Sequence, residues 1–135
     1  MNRSGRNYRS YYPSRKMSRM IHCESILERD AAHMFKMSEK VFSYYEQPEV
    51  VQYAQDEIIK TYFPDFLVKV EHGEIFIEIK PSAKLEEPKI NQKFNAIKNH
   101  FFRKQINFLI LDESVIRGPN PQQQFDLMIS NHLVK

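Results

Sequence analysis

The chain has 135 residues, of which 41% are apolar, including ten Phe and seven Tyr, so we expect one folded domain rather than a disordered protein. Its single cysteine, Cys23, excludes an intrachain disulfide and a cysteine-based zinc site. The sequence also contains no run of about 18 apolar residues, the length that a membrane-spanning helix needs. The basic start of the chain lacks the apolar segment of a secretory signal peptide, so we expect a cytoplasmic location.

The net charge of +3 is unevenly distributed along the chain. Residues 1–20 contain no acid and six cations, so the remaining 115 residues carry a net charge of −3. The six cations are Arg3, Arg6, Arg9, Arg15, Lys16 and Arg19. Tyrosines lie between them, and this mixture is typical of a segment that neutralises phosphates and stacks on bases or sugars. A solubilising tail is the alternative interpretation.

The first predicted helix covers about residues 25–36. Its apolar residues recur at intervals of three and four, as on one face of a helix. Ser25 and Glu28 match the S-x-x-E capping box, which gives Glu28 a structural role in the first helical turn. Glu24 has a similar helix-start interpretation.

Extended segments follow the first helix, at residues 41–46, 50–54 and 57–63. Residues 66–70 and 75–79 are then predicted as two β-strands of a hairpin that turns at His72 and Gly73, because both are rich in β-branched and aromatic residues.

The second half of the chain alternates between helix and strand. Pro88 opens a predicted helix of about sixteen residues, in which Ile90, Phe94, Ile97 and Phe101 form one apolar stripe that belongs in the core. Residues 106–111 are predicted as a buried strand and residues 122–133 as a short terminal helix. The order of helix, three strands, helix and strand predicts an α/β fold with a mixed central sheet.

The predicted hairpin carries a group of charged side chains. Strand side chains alternate between faces, so Phe76, Glu78 and Lys80 share one face, whereas the isoleucines at 75, 77 and 79 share the other. Asp65 lies at the start of the neighbouring strand and can reach the same place. Two carboxylates and a lysine are what metal-assisted hydrolysis of a phosphodiester requires.

The chemistry assigns a role to each of these groups. Mg²⁺ or Mn²⁺ would be held by Asp65 and Glu78, together with the backbone carbonyl of Ile79. Lys80 would orient the nucleophile or stabilise charge on the scissile phosphate. The alternative without catalytic function is a solvated Glu-Lys pair on a strand, next to a Pro-Asp turn. With such chemistry nearby, we expect residues 1–20 to be a DNA-contacting arm, followed by a nuclease domain over residues 21–135.

The ordered motifs resemble the PD-(D/E)xK nuclease superfamily, and more narrowly the N-terminal catalytic domain of TnsA-like endonucleases. The matching pieces lie in residues 12–16, 19–22, 24–30, 46–48, 64–68 and 78–81. The resemblance implies a restriction-endonuclease-like core in which Glu28 joins Asp65, Glu78 and Lys80 in the active site, with Glu24 as the alternative to Glu28. Gln47 also recurs in the family pattern, and we expect Gln47, Glu24 and Lys93 to line the site.

The resemblance further implies a metal-dependent endonuclease that cuts double-stranded DNA at transposon ends, together with a recombinase-type transposase subunit and a regulator. Many such nucleases act on duplexes as pairs, which leaves a homodimer open as one state of the protein. The chain departs from TnsA proteins in having only about eighteen residues after Arg117, where a further domain usually follows. A phage-encoded nuclease or DNA-end processing and packaging factor, and a non-catalytic DNA-binding module, are therefore the alternatives.

Overall fold

A computed structural model of the protein describes residues 10–133, so the predicted DNA contacts Arg3, Arg6 and Arg9 lie outside the described residues. Its strands are β1 (Ser10–Ser14), β2 (Arg19–Cys23), β3 (Val41–Glu46), β4 (Val51–Gln55), β5 (Ile58–Tyr62), β6 (Phe66–Val70), β7 (Gly73–Ile79) and β8 (Asn107–Leu111). Its helices are α1 (Ile26–Met37), α2 (Ser82–Leu85), α3 (Pro88–Arg103), α4 (Glu113–Ile116) and α5 (Pro121–His132).

The central sheet has four strands in the order β3-β6-β7-β8. The first two pairings are antiparallel, and β8 runs parallel to β7 after the crossover through α3. This arrangement confirms the predicted α/β fold with a mixed central sheet. The β6–β7 hairpin turns at Glu71 and His72, one residue earlier than predicted, and β7 already begins at Gly73.

Strands β4 and β5 confirm the two segments that were predicted to be extended. They do not, however, join the central sheet. They pair with each other in an antiparallel hairpin that forms a separate two-stranded sheet. Asp56 and Glu57 connect them with φ angles of 54° and 65°, the left-handed conformation of a tight type I′ turn. The hairpin packs on α3, where its buried Tyr53 and Tyr62 belong to the same apolar cluster as Phe94.

The central sheet has an apolar core on each face. Ile75, Ile77 and Ile79 lie in the larger cluster, which includes buried residues of α1 and α5, whereas Phe76 lies in the smaller cluster with α3. The predicted alternation of faces along β7 is therefore confirmed. The α3 stripe is also confirmed as core: Phe94, Ile97 and Phe101 are buried, and Ile90 packs against them half-buried.

Residues 10–23 form a β-hairpin that crosses the boundary expected at residue 20. Its buried Tyr12, Ile21 and Cys23 belong to the larger core cluster. In its turn, Lys16 Nζ donates hydrogen bonds to the carbonyl oxygens of Phe35, Ser38 and Val41, at 2.9, 2.7 and 2.7 Å. The part of the expected arm that the structure describes therefore packs on the domain, because alternate residues of a short hairpin supply apolar side chains to the core.

The short helices α2 and α4 were not predicted from the sequence. Each has one turn and follows the end of a central strand, where Pro81 and Asp112 stand at the N-terminal caps. Within the described part of the chain, none of the helices combines the length and apolar composition that crossing a membrane requires.

Candidate active site

Glu78 is the most deeply buried acid of the predicted site, with 5% of its surface exposed. One carboxylate oxygen, Oε1, accepts a hydrogen bond from the Tyr62 hydroxyl at 2.5 Å. The other, Oε2, lies 3.5 Å from Lys80 Nζ. Glu78 is thus held between a buried hydroxyl and an ammonium group, at the end of β7.

Lys80 follows directly after β7, and its backbone is fixed on both sides. Its N–H donates to the Leu111 carbonyl at 3.0 Å, which extends the contact with β8. Two residues later, the backbone N–H of Ser82 donates to Glu113 Oε1 at 2.9 Å. The ammonium group lies 5.8 Å from the centre of the Phe94 ring, so α3 borders it.

Asp65 immediately precedes β6, and its side chain reaches the end of β7. Its Oδ2 accepts a hydrogen bond from the Ile79 N–H at 2.8 Å, and its backbone carbonyl accepts one from the Gln47 N–H at 2.8 Å. The Asp65 side chain therefore contacts the backbone N–H of Ile79. The backbone carbonyl of Ile79, which was predicted to be a metal ligand, is a different group and takes no part in this contact.

Glu28 lies in the first turn of α1, where the predicted cap is present in altered form. Ser25 Oγ accepts a hydrogen bond from the Glu28 N–H at 3.0 Å, as in a capping box. The Glu28 side chain, however, accepts from the backbone N–H of Glu24 at 3.2 Å. Capping thus occupies one Glu28 oxygen, Oε1, while the carboxylate remains close enough to feel the charges of Asp65, Glu78 and Lys80.

The pKa values of all three carboxyl groups are raised. Burial raises the pKa of Asp65 well above its usual value, and repulsion from Glu78 and Glu28 raises it further. Burial also raises the pKa of Glu28; the hydrogen bond from the Glu24 N–H opposes this rise, and repulsion from Glu24 and Glu78 adds to it. The pKa of Glu78 is raised by burial, against the opposing effects of the Tyr62 hydrogen bond and the Lys80 charge. With all three carboxylates ionised, the group would carry more negative charge than Lys80 balances.

The donor chemistry of this group suits a hard divalent cation, which prefers carboxylate oxygens. The excess of negative charge among Glu28, Asp65 and Glu78 is the kind that such an ion neutralises. Within residues 10–133, however, no three His, Cys, Asp or Glu side chains surround a common point at metal-ligand distances. The hydrogen bonds from Glu24, Ile79 and Tyr62 each use one oxygen of these carboxylates, so a shared ion would be held through the second oxygen of each.

Three further residues were predicted to line the site, and they lie at its edges. Gln47 Nε2 donates to Glu24 Oε2 at 3.2 Å, which places both beside Glu28. Lys93 lies on the α3 side, where its charge lowers the pKa of Glu78. Its Nζ is 5.5 Å from the centre of the Phe94 ring.

The predicted DNA contacts within the described residues are mostly engaged by the protein itself. All three hydrogen bonds of Lys16 go to backbone carbonyls. Arg19 makes a two-pronged contact with the Glu46 carboxylate, at 3.1 and 2.6 Å. Arg15 is exposed in the turn between β1 and β2.

Tyr62 is the contact that sequence reasoning missed. It is 3% exposed, and burial, followed by the nearby charge of Glu78, strongly raises the pKa of its hydroxyl. The sequence signal for this contact is the position of Tyr62 at the end of β5, only three residues before Asp65. That signal could be used only with knowledge that the β4–β5 hairpin lies over the Glu78 face of β7.

Comparison with known proteins bears on the same residues. The family model described as TnsA-like endonuclease N terminal matches residues 38–113, more than half of the chain. The matched segment contains Gln47, Asp65, Glu78 and Lys80 and excludes Glu24 and Glu28. A search of curated proteins found no match. The mixed central sheet agrees with the restriction-endonuclease-like fold expected of such domains. The chain belongs to the family of TnsA-like endonuclease N-terminal domains.

Proposed function

We propose that the protein is a metal-dependent endonuclease that hydrolyses phosphodiester bonds in double-stranded DNA. The observation that supports this best is the meeting of Glu28, Asp65, Glu78 and Lys80, which come from three separate parts of the chain. A shared fold alone would not require buried carboxylates to repel one another, because such an arrangement costs stability.

The carboxylates of Asp65 and Glu78, assisted by Glu28 and the Ile79 carbonyl, would hold Mg²⁺ or Mn²⁺. When bound, such an ion supplies a polarised phosphoryl oxygen and a water of lowered pKa. Tyr62 holds one oxygen of Glu78 and so fixes the direction of that carboxylate. Burial shields the Glu78 carboxylate from bulk water.

Lys80 acts on the phosphate rather than on the metal. A protonated ammonium has no lone pair and cannot be a ligand, but it stabilises the negative charge that develops on the scissile phosphate. Its backbone hydrogen bond to Leu111 and its neighbour Phe94 keep the ammonium group at the same end of β7 as Glu78. Lys93 adds a second positive charge on that side.

We place the cleavage at transposon ends, as the family relationship suggests, with a recombinase-type transposase subunit cutting the other strand and a regulator directing both. On this proposal the protein acts inside a cell, and two copies act on one duplex. A non-catalytic DNA-binding module is the weaker alternative, because it would have no need to keep all four charged side chains together.

The test is cleavage of supercoiled plasmid in Mg²⁺ or Mn²⁺. Asp65→Ala and Lys80→Ala should each lower the rate of nicking about 100-fold or more, since each removes charge stabilisation from the transition state. Lys84→Ala and Glu86→Ala remove a lysine and a carboxylate from exposed positions and should cut like the wild type. Equal nicking by all five proteins would assign the activity to a contaminant and contradict the proposal.

A further inference from the structure

The exposed face of α3 has an unusual composition. Residues 88–111 contain no Asp or Glu and five cations, which are Lys89, Lys93, Lys98, Arg103 and Lys104. The side of the helix opposite the buried stripe carries Gln92, Asn95, Asn99 and Arg103, at intervals of three and four. It is thus a row of amide and guanidinium groups, which are hydrogen-bond donors suited to oxygen ligands.

A groove of about 740 Å³ lies at the C-terminal end of this helix. Its polar lining includes Lys98, Asn99 and Arg103, and the stacked rings of Phe101 and Phe108 also line it. Phe102 also lines the groove and is 82% exposed. An exposed phenyl ring between two cations offers one apolar contact and two charges within a single groove.

The cations of the groove are not neutralised by the protein. Within residues 10–133, neither Lys98, Arg103 nor Lys104 forms an ion pair with a carboxylate, whereas Arg19 and Arg117 do. Burial lowers the pKa of His100, and the charges of Lys104 and Arg103 lower it further. Asp56 borders a second groove on the other side of Arg103, and the Glu74 carbonyl accepts a hydrogen bond from Asn107, which lines the first groove.

Interaction with the helix dipole does not account for the whole pattern. Cations in the last turn stabilise a helix C-terminus, and this explains Arg103. It does not explain Lys89 and Lys93 at the opposite end, nor the exposure of Phe102.

The N-terminal half of α3 borders the proposed catalytic group. Lys93 acts on Glu78, and the ring of Phe94 lies against Lys80. A helix of 16 residues is about 24 Å long, which corresponds to roughly seven base pairs of duplex. A duplex lying along α3 would therefore reach from the catalytic group to the groove.

We infer that the C-terminal half of α3 and its groove bind the phosphate backbone of duplex DNA, up to about two-thirds of a helical turn from the scissile bond. Lys98 and Arg103 neutralise phosphates, and Phe102 packs on the sugars between them. The inference rests on the proposed function for its substrate, but it concerns a surface outside the catalytic group. It also differs from the sequence-based expectation, which placed the DNA contacts on the arm.

The test measures DNA binding without cleavage. The full chain is titrated into a fluorescent 30-base-pair duplex in EDTA, and anisotropy gives the Kd at several salt concentrations between about 50 and 200 mM. Lys98→Gln/Arg103→Gln should weaken binding at least tenfold and reduce the slope of log K against log salt by about two, one for each lost phosphate contact. Phe102→Ala should weaken binding with no change in slope, because an apolar contact releases no counterions.

The matched control is Lys36→Gln/Lys40→Gln, which removes the same charge from the end of α1 and the segment after it. It should leave both Kd and slope within twofold of the wild type, and circular dichroism should show that every variant is folded. The inference is overturned if the α3 variant binds like the wild type, if the control loses as much affinity, or if the wild type does not bind. Because EDTA removes divalent ions, failure of Asp65-dependent cleavage would leave this result intact and would contradict only the catalytic proposal.

Discussion

Glu28 has two roles at the level of a single residue, and they can be separated by substitution. Glu28→Gln keeps an oxygen that can accept from the Glu24 N–H but removes the charge that repels Asp65. We therefore expect unchanged or slightly higher stability in metal-free buffer and a loss of plasmid nicking.

Ser25→Ala is the complementary variant. It removes the side chain that accepts from the Glu28 N–H and should destabilise the protein by about 1 kcal/mol while nicking persists. Urea denaturation and plasmid cleavage measure the two properties. Full nicking activity in Glu28→Gln would show that Glu28 serves only as a cap.

Tyr62 is expected to stabilise the protein through Glu78. Tyr62→Phe leaves a buried carboxylate oxygen without its hydroxyl donor, so the free energy of unfolding should fall by about 1–3 kcal/mol. Tyr45→Phe, at an exposed position of β3, is the control and should change stability little. Similar stabilities of the two variants in urea would mean that the Tyr62 hydroxyl contributes nothing.

The residues of the site were predictable to different degrees. Asp65, Glu78 and Lys80 follow from local sequence, because a strand fixes which side chains share a face. Glu28 depended on family resemblance, since its distance from Asp65 in sequence gives no local signal. Tyr62 was missed because its contact depends on how the β4–β5 hairpin lies against β7.

Among the secondary-structure elements, the turn of the N-terminal hairpin is tied to the end of α1 and the segment after it by the hydrogen bonds of Lys16. Lys16→Met keeps most of the length of the side chain but removes three hydrogen bonds to backbone carbonyls. We therefore expect the free energy of unfolding, measured by urea denaturation, to fall by about 1–3 kcal/mol. Arg15→Met, in the same turn and exposed, should be neutral. Equal stability of the two variants would show that Lys16 does not anchor the hairpin.

Helices and central strands were predictable because their apolar period is clear, as in α3 and β7. The pairing of β4 with β5 was not, since Asp56-Glu57 lacks the glycine or asparagine that usually marks a type I′ turn. The hairpin at residues 10–23 was hidden by its composition: polar and basic residues surround the few positions that reach the core.

Across the whole molecule, the repelling carboxylates should make stability depend on pH. A carboxyl whose pKa is raised in the folded state binds more protons folded than unfolded, so its contribution to stability falls as pH rises from about 4.5 through the folded pKa. Asp65→Asn removes one of these charges. In EDTA, its Tm should exceed that of the wild type, and the difference should grow between about pH 5 and pH 8. A wild type that is more stable than Asp65→Asn at pH 8 would contradict the electrostatic description.

The central claim is that Glu28, Asp65 and Glu78 form one site for a divalent cation, and calorimetric titration of Mn²⁺ into the full chain tests it without DNA or partner proteins. We predict that the wild type binds Mn²⁺ and that Asp65→Asn weakens binding about tenfold or more. Asp56→Asn, in a turn whose left-handed backbone suits asparagine, should bind like the wild type. Equal Mn²⁺ affinity of Asp65→Asn and the wild type would contradict the claim.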